Sequence, residues 1–297
     1  MMKTAVVDIG SNSVRCAVFD SGGCVWRDLV TSRLGEGIAD GLLKSQAVCR
    51  TLDAISKLKR EVIERGAEII YAFATEAVRR AANGDYFISR ALSETGLKVF
   101  LADKETEAEM ALFGALKGGD GCVIDLGGAS TELAVRSGGE VIYSRSIPVG
   151  AVVLKDACGR DENKLAPYIA QKTAEYGEVP LQREVYAVGG TATSLAAIKL
   201  GLKEYDSEKV NGTVLSSDEL DKLKEKLKNA SPEEISDEYC TDKKRAEIIF
   251  GGALLLAAVA KKTGAEKIIV SESDNLEGFF SMLSDGKIAA EGLVIEK

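Results

Sequence analysis

Two patterns of apolar residues alternate along the chain. Short runs rich in Val and Ile, bounded by glycine or polar residues, predict β-strands, whereas apolar residues three and four positions apart predict amphipathic helices. Strands are predicted over 4–7, 14–19, 68–74, 98–102, 185–188 and 267–270. Helices are predicted over 46–64, 85–95, 104–116, 192–200, 217–228 and 246–262. This alternation is typical of an α/β fold.

One strand-turn-strand unit occurs twice. In the first copy an apolar strand ends at Asp8, Gly10 follows two positions later, and a second apolar strand begins. The second copy has the same layout around Asp125 and Gly127. The duplication predicts two domains of like topology that face one another across a cleft. We expect domains over 1–118 and 119–297, joined by a Gly-rich hinge, with the last helix placed so that it can pack back on the first domain.

The charge balance narrows the class of partner. The sequence has 38 basic and 46 acidic residues and a formal net charge of −8, which argues against non-specific binding to nucleic acid. A polyanionic substrate would need a few placed basic side chains, backbone N–H groups or a bound cation. The longest apolar stretch, 251–260, is too short to span a bilayer, and the N-terminus has no signal-peptide pattern.

Cysteine and histidine usage narrows the chemistry. The six cysteines form no CxxC pair, so we expect reduced, mostly buried thiols and a cytoplasmic location. The sequence contains no histidine. Proton transfer and metal binding must therefore rely on carboxylates, hydroxyl groups and the backbone.

The two Asp-x-Gly turns carry the candidate chemistry. An Asp at the carboxyl end of a strand, followed by glycine and small hydroxyl residues, leaves backbone N–H groups that can converge on an anion. The turn Gly189-Gly190-Thr191 repeats the small-residue pattern after a later strand. Asp8 and Asp125 would hold Mg²⁺, which prefers oxygen ligands. In the alternative interpretation each Asp caps its own turn and each Gly permits a tight hairpin.

The segments 8–13 and 125–132 resemble the paired phosphate loops of the exopolyphosphatase and guanosine pentaphosphate phosphatase family. The resemblance continues in order through 33–37, 74–81, 107–108, 188–193 and 245–247. It implies two ribonuclease H-like domains of the actin, Hsp70 and sugar kinase superfold. It also implies an enzyme of the short type that releases terminal phosphate from inorganic polyphosphate by attack of water, with Mg²⁺, or Mn²⁺ in its place.

The resemblance also implies roles for single residues. Glu107 lies where the family has the glutamate that orients the attacking water, and Arg79 corresponds to a substrate-binding arginine. With Asp125 they are the candidate catalytic residues, and Asp8, Asp125 and Glu132 are the candidate metal ligands. The candidate substrate contacts are Gly10, Ser11, Asn12, Ser13, Gly127, Gly128, Ser130, Thr131, Gly190 and Thr191.

Several alternatives stay open. Arg80 is a rival for Arg79, and in the simpler interpretation Glu107 is one of several acids that begin its helix. Guanosine pentaphosphate is the rival substrate. A kinase or ATPase of the same superfold, a non-catalytic sensor of nucleotide or polyphosphate, and a homodimer are further alternatives. Departures from the family pattern at Glu109, Asn211 and Leu276 predict a more acidic cleft.

Overall fold

The computed structural model describes residues 2–239 and 241–295, so the expectation for Cys240 lies outside the described residues. The strands are β1 (Thr4–Ile9), β2 (Ser13–Asp20), β3 (Gly23–Thr31), β4 (Ile69–Ala74), β5 (Val99–Leu101), β6 (Gly121–Leu126), β7 (Thr131–Ser137), β8 (Glu140–Ile147), β9 (Glu184–Val188), β10 (Val214–Ser216), β11 (Lys267–Val270) and β12 (Leu293–Val294). The helices are α1 (Ser45–Glu64), α2 (Glu76–Arg80), α3 (Gly84–Thr95), α4 (Lys104–Leu116), α5 (Ala151–Cys158), α6 (Glu162–Thr173), α7 (Gly190–Lys199), α8 (Ser207–Val210), α9 (Ser217–Asn229), α10 (Pro232–Glu238), α11 (Lys243–Thr263) and α12 (Asn275–Ser284).

The chain forms two compact units. Unit 1 contains residues 2–110 and 275–295, and unit 2 contains residues 111–239 and 241–274. Helix α4 begins in unit 1 and ends in unit 2. The predicted domains, 1–118 and 119–297, remain a prediction.

The sheet of unit 1 has the strand order β12-β4-β1-β2-β3, and β5 also pairs with β4. Strands β1, β2 and β3 form an antiparallel meander, whereas β4 runs parallel to β1. Helix α1 makes the crossover between β3 and β4 and buries Val48, Leu52 and Ile55 along one face. Every residue of β1 is buried, as expected for a strand with other strands on both sides and elements packed on both faces.

The sheet of unit 2 repeats this plan. Its strand order is β10-β11-β9-β6-β7-β8. Strands β6, β7 and β8 form the antiparallel meander, and β9 runs parallel to β6. The prediction of like topology in the two halves is therefore confirmed by the strand pairing.

The predicted apolar helix over 246–262 is confirmed as α11, which lies in the core of unit 2 and buries Ile249, Phe250 and Leu256. Its neighbour α9 begins at a capping box in which Ser216 and Glu219 hydrogen-bond to each other's backbone N–H groups. Strands β3 and β8 were not predicted. Both are edge strands with many exposed residues, so their apolar pattern is weak.

The expectation of mostly buried thiols is confirmed for three of the five described cysteines. Cys16, Cys122 and Cys158 are buried, but Cys24 and Cys49 are exposed, and all five are free thiols. Cys24 is on the edge strand β3 and Cys49 on the outer side of α1, so neither joins a core. Across the described ranges, no helix is long and apolar enough to cross a membrane.

Candidate active site

The first Asp-x-Gly turn joins β1 to β2 in unit 1. The Gly10 N–H donates to Ser13 O at 3.0 Å and closes the turn. The carbonyls of Ser11 and Asn12 accept backbone N–H groups from the segment 32–35 at 2.8 to 3.1 Å. Because C=O and N–H of a trans peptide point in opposite directions, the Asn12 N–H faces away from this segment. The N–H groups of Ser11 and Asn12 have no backbone acceptor within the described chain, so both can bind an anion.

The second turn joins β6 to β7 in unit 2 and closes in the same way, by donation from Gly127 N–H to Ser130 O at 3.1 Å. The carbonyls of Gly127 and Gly128 accept N–H groups from residues 151–153, at the start of α5, at 2.9 to 3.2 Å. The N–H groups of Gly128 and Ala129 therefore face away from α5. Neither has a backbone acceptor among the residues that the structure describes.

Two glycines of unit 2 allow backbone segments to approach these strand ends. A Cβ on Gly150 would lie 2.4 Å from Gly127 O, so only glycine lets the start of α5 come so near the turn. Gly189 has φ +89°, and a Cβ there would lie 2.8 Å from Leu126 O and 3.1 Å from Asp125 Oδ1. The predicted third turn therefore lies directly beside the end of β6.

The residue opposite the strand-end Asp differs between the two hairpins. Asp8 faces Arg15 in the β1–β2 register, and Arg15 Nε donates to Asp8 Oδ2 at 2.9 Å. Asp125 faces Glu132 in the β6–β7 register, and Glu132 Oε1 accepts a hydrogen bond from Ser146 Oγ at 2.7 Å. Asp8 is 3% exposed and Glu132 is 4% exposed. Unit 1 thus has a largely buried ion pair where unit 2 has two carboxylates.

This difference bears on the predicted metal ligands. Cross-strand partners have Cβ atoms about 4.5–5.5 Å apart, so the two carboxylates are close enough to bind one cation together. Asp125 and Glu132 therefore fit Mg²⁺, which is commonly bound by one or two carboxylates with waters and substrate phosphates. Asp8 is ion-paired with Arg15, and this ion pair competes with the predicted role of Asp8 as a metal ligand. No cluster of three or more His, Cys, Asp or Glu side chains that could hold a metal occurs in 2–239 and 241–295.

Glu107 lies in the first turn of α4 and is 5% exposed. Arg79 Nη1 donates to Glu107 Oε2 at 2.9 Å and to Ala102 O at 2.7 Å, and its Nη2 donates to Glu76. Burial lowers the pKa of Arg79, but the charge of Glu107 and hydrogen bonds to both glutamates raise it above its ordinary value overall. The rival Arg80 has its Nε 3.6 Å from Glu76 Oε1. The structure thus shows Arg79 positioning Glu107, and its contact with phosphate remains a prediction.

The start of α4 is held by Asp103, whose Oδ1 accepts the Thr106 N–H at 2.8 Å. This hydrogen bond lowers the pKa of Asp103 below its ordinary value. The positive end of the helix dipole also stabilises a carboxylate at this position. Asp103 therefore fixes the turn from which Glu107 projects.

Two predicted substrate contacts are buried by packing. Thr131 is fully buried, and its Oγ1 donates to Val149 O at 2.6 Å. Thr191 is also buried, and a Cβ on Gly252 of α11 would lie 2.6 Å from Thr191 Cγ2. The structure gives both side chains a packing role. The phosphate contacts of Ser13 and Ser130 remain predictions, because each is shown closing its turn through its carbonyl.

Sequence reasoning placed Arg245 in the resembling segment 245–247 but did not predict that it lies beside the third turn. A Cβ on Gly190 would lie 1.8 Å from Arg245 Nη1, so the guanidinium lies directly on this glycine. Gly190 begins α7. The two residues are far apart in sequence, and the glycine pattern predicted the turn without its partner.

Two of the three departures from the family pattern have surroundings that suit the residue present. Asn211 Oδ1 accepts the Glu272 N–H at 3.1 Å and links the segments beside β10 and β11. Leu276 is buried on α12, so an apolar side chain suits its surroundings. Glu109 is half-buried on α4. The predicted excess of acid near the site remains a prediction.

Residues 14–285 match the model of the Ppx/GppA phosphatase family. The chain belongs to this family. It is 30% identical to a bifunctional 3-dehydroquinate synthase/phosphatase of Fusobacterium nucleatum over 92% of the chain, but it spans only 45% of that protein. It is 26% identical to exopolyphosphatase 2 of Mycobacterium tuberculosis over 94% of the chain and 97% of that protein.

A solved structure supports the same family. The crystal structure of the Aquifex aeolicus member of the Ppx/GppA family superposes with a TM-score of 0.78 at 27% identity, over 97% of this chain and 99% of that one. The predicted α/β fold of the actin-like superfold is therefore confirmed, and so is the predicted enzyme class, a phosphatase of this family.

Proposed function

We propose that this member of the Ppx/GppA family is an exopolyphosphatase, which releases the terminal phosphate of inorganic polyphosphate. The observation that carries the proposal is the pair of hairpin turns whose peptide N–H groups at Ser11, Asn12, Gly128 and Ala129 lack backbone acceptors in the described chain. Such groups bind phosphate oxygens without the need for a basic surface. The similarity to exopolyphosphatase 2, which spans nearly all of both chains, supports this choice of substrate.

In the proposed reaction, a water oxygen forms a bond to the terminal phosphorus and the bridging P–O bond breaks. The shortened polyphosphate leaves with the bridging oxygen, and inorganic phosphate is released. Glu107 orients the water and accepts its proton, since a carboxylate can do so in a chain without histidine. Arg79 holds Glu107 in place through the 2.9 Å contact. The turn N–H groups bind phosphate oxygens and stabilise their charge.

Asp125 and Glu132 are the residues that would hold Mg²⁺, or Mn²⁺ in its place. When bound, the cation supplies positive charge that offsets the charge of the phosphate oxygens. The cross-strand pairing of the two carboxylates supports this assignment. We also propose that the protein acts in the cytoplasm, because exposed free thiols such as Cys24 and Cys49 suit a reducing compartment.

The test is phosphate release from inorganic polyphosphate by the purified protein in the presence of Mg²⁺. Glu107→Gln keeps the shape of the side chain but removes its ability to accept a proton. We expect it to lower kcat by about 10² to 10⁴-fold. Glu105→Gln, at an exposed position on the same helix, is the matched control and should retain full activity.

Other outcomes would redirect the proposal. Equal loss in both variants would remove Glu107 from its assigned role. Release from guanosine pentaphosphate but not from polyphosphate would favour the nucleotide phosphatase. Phosphate transfer only when an acceptor is added would favour a kinase, and binding without turnover would favour a sensor.

A further inference from the structure

Arg33 has an unusual backbone conformation. Its φ is +54°, and within the described ranges Lys117 is the other non-glycine residue with a positive φ. The left-handed region is unfavourable for a side chain with a Cβ and is usually taken by glycine or asparagine. Strain of this kind persists where the surrounding structure imposes it, and it is concentrated at functional sites.

The structure that imposes it is the first phosphate turn. Arg33 N–H donates to Asn12 O at 2.8 Å, and the Gly35 N–H donates to Ser11 O at 2.8 Å. Between them, Leu34 is fully buried and anchors the segment in the core of unit 1. The backbone of the segment 33–35 is therefore hydrogen-bonded to Ser11 and Asn12, whose N–H groups are proposed to bind phosphate.

The side chain of Arg33 is half-buried, yet it has no hydrogen bond or ion pair with any described residue. The acid three residues further on, Glu36, is ion-paired with Arg50 at 2.6 Å. Arg60 and Arg183 also lack such partners, but both are exposed to solvent. A partly desolvated guanidinium without a counter-charge is unfavourable by itself, so its surroundings suit an anion.

We infer that Arg33 is a phosphate-binding residue, whose long side chain brings its guanidinium to non-bridging oxygens of the phosphoanhydride chain that the first turn binds. The inference rests on the proposed function and extends its first phosphate turn by one charged side chain. The ligand class is a phosphoanhydride chain, because a planar guanidinium can donate two parallel hydrogen bonds to a phosphate. In a chain with net charge −8, such a local cation also accounts for the binding of a polyanion.

The test compares Arg33→Asn, Arg33→Lys and Arg33→Gly with wild type. Asparagine and glycine both accept the left-handed conformation, so the turn should remain folded with an unchanged melting temperature. Binding of imidodiphosphate, a non-hydrolysable phosphoanhydride analogue, is measured by titration calorimetry. KM and kcat for inorganic polyphosphate are measured in parallel.

We expect Arg33→Asn and Arg33→Gly to weaken imidodiphosphate binding and to raise KM by about tenfold or more, with little change in kcat. Arg33→Lys should recover part of the loss, since it restores the charge without the paired donors. Arg60→Asn removes an exposed arginine from α1 and is the matched control for total charge. It should change neither quantity.

Unchanged binding in Arg33→Asn would overturn the inference, and so would an equal loss in Arg60→Asn. A fall in melting temperature in both Arg33→Asn and Arg33→Gly that accounts for the lost binding would assign Arg33 a structural role instead. Failure of the wild type to release phosphate from polyphosphate would refute the proposed function. The calorimetric comparison would still decide the role of Arg33.

Discussion

The two hairpins that carry the turns share a backbone plan but differ in charge. In β1–β2 the strand-end Asp8 is paired with Arg15, whereas in β6–β7 the strand-end Asp125 is opposite Glu132. The turns themselves close by the same hydrogen bond, from the glycine N–H to the carbonyl three residues later. The two hairpins therefore differ at a single cross-strand position. In β1–β2 the residue there neutralises the strand-end carboxylate, and in β6–β7 it adds a second carboxylate, so that the pair is suited to a cation.

The hairpins also differ in what holds the turn. In unit 1 an irregular segment at 32–35 donates to the turn carbonyls, and in unit 2 the start of α5 does so. The irregular segment brings an arginine in a strained conformation, whereas the helix requires Gly150 for its close approach. The two hairpins thus share the peptide geometry that is proposed to bind anions, whereas the charges around it differ.

The largest effect is expected from giving the first hairpin the charges of the second. Arg15→Glu breaks the ion pair with Asp8, whose side chain is 4% exposed, and places two carboxylates opposite each other. The free energy of unfolding in EDTA should fall by about 3 kcal/mol, as for other buried pairs that lose one partner. Chemical denaturation measures this fall, and added Mg²⁺ should restore part of it by binding to the folded state.

Arg90→Glu is the control for this variant, because Arg90 pairs with Glu94 on the surface of α3. Exposed pairs contribute about 1 kcal/mol or less. If both variants lose the same stability, the Asp8–Arg15 pair does not distinguish the hairpins.

The next effect concerns the acidic pair itself. Glu132→Gln removes one of the two opposed carboxylates and should raise the Mg²⁺ concentration for half-maximal stabilisation by at least about tenfold. Thermal melting at a series of Mg²⁺ concentrations measures this shift without reference to activity. Glu140→Gln, exposed on β8, should behave as wild type, and an unchanged Mg²⁺ response in Glu132→Gln would remove it from the proposed ligands.

A smaller effect is expected from changes in the two segments that hold the turns, the start of α5 and residues 32–35. Gly150→Ala places a Cβ 2.4 Å from Gly127 O, whereas Gly35→Ala places one 3.2 Å from Ser11 Cβ. We expect a loss of about 2 kcal/mol in unfolding free energy for Gly150→Ala and a distinctly smaller loss for Gly35→Ala. Equal losses by urea denaturation would mean that the two segments pack equally tightly.

The smallest effect concerns α4, which gives unit 1 its candidate catalytic carboxylate. Asp103→Ala removes the hydrogen bond to Thr106 N–H and should cost about 1 kcal/mol at pH 7. Because the folded pKa of Asp103 is lowered from 3.8, its contribution is fully present above that value. It is lost as the pH falls through the lower folded pKa.

Urea denaturation of wild type and Asp103→Ala between pH 7 and pH 3 checks this sign. The difference between them should be constant near neutrality and shrink in acid. A difference that grows as the pH falls would contradict the assignment.

Part of the candidate site followed from local sequence. Once the turn of the first hairpin is placed at Gly10–Ser13, counting outward pairs Asp8 with Arg15, and the same count pairs Asp125 with Glu132. The register was therefore within reach of the sequence, although the Asp8–Arg15 pair was not predicted. The packing roles of Thr131 and Thr191 were not within reach, because they depend on Val149 and Gly252 from distant segments.

The sequence by itself determined the duplicated turns, the like topology of the two sheets and the reliance on carboxylates in a chain without histidine. These features depend on residues that are neighbours in the chain, where periodicity and turn chemistry act directly. The tertiary structure alone decided that Arg33 is attached to Asn12, that Arg79 holds Glu107, and that Arg245 lies on Gly190. Such contacts join residues far apart in sequence, and only the folded sheets bring them within hydrogen-bonding or packing distance.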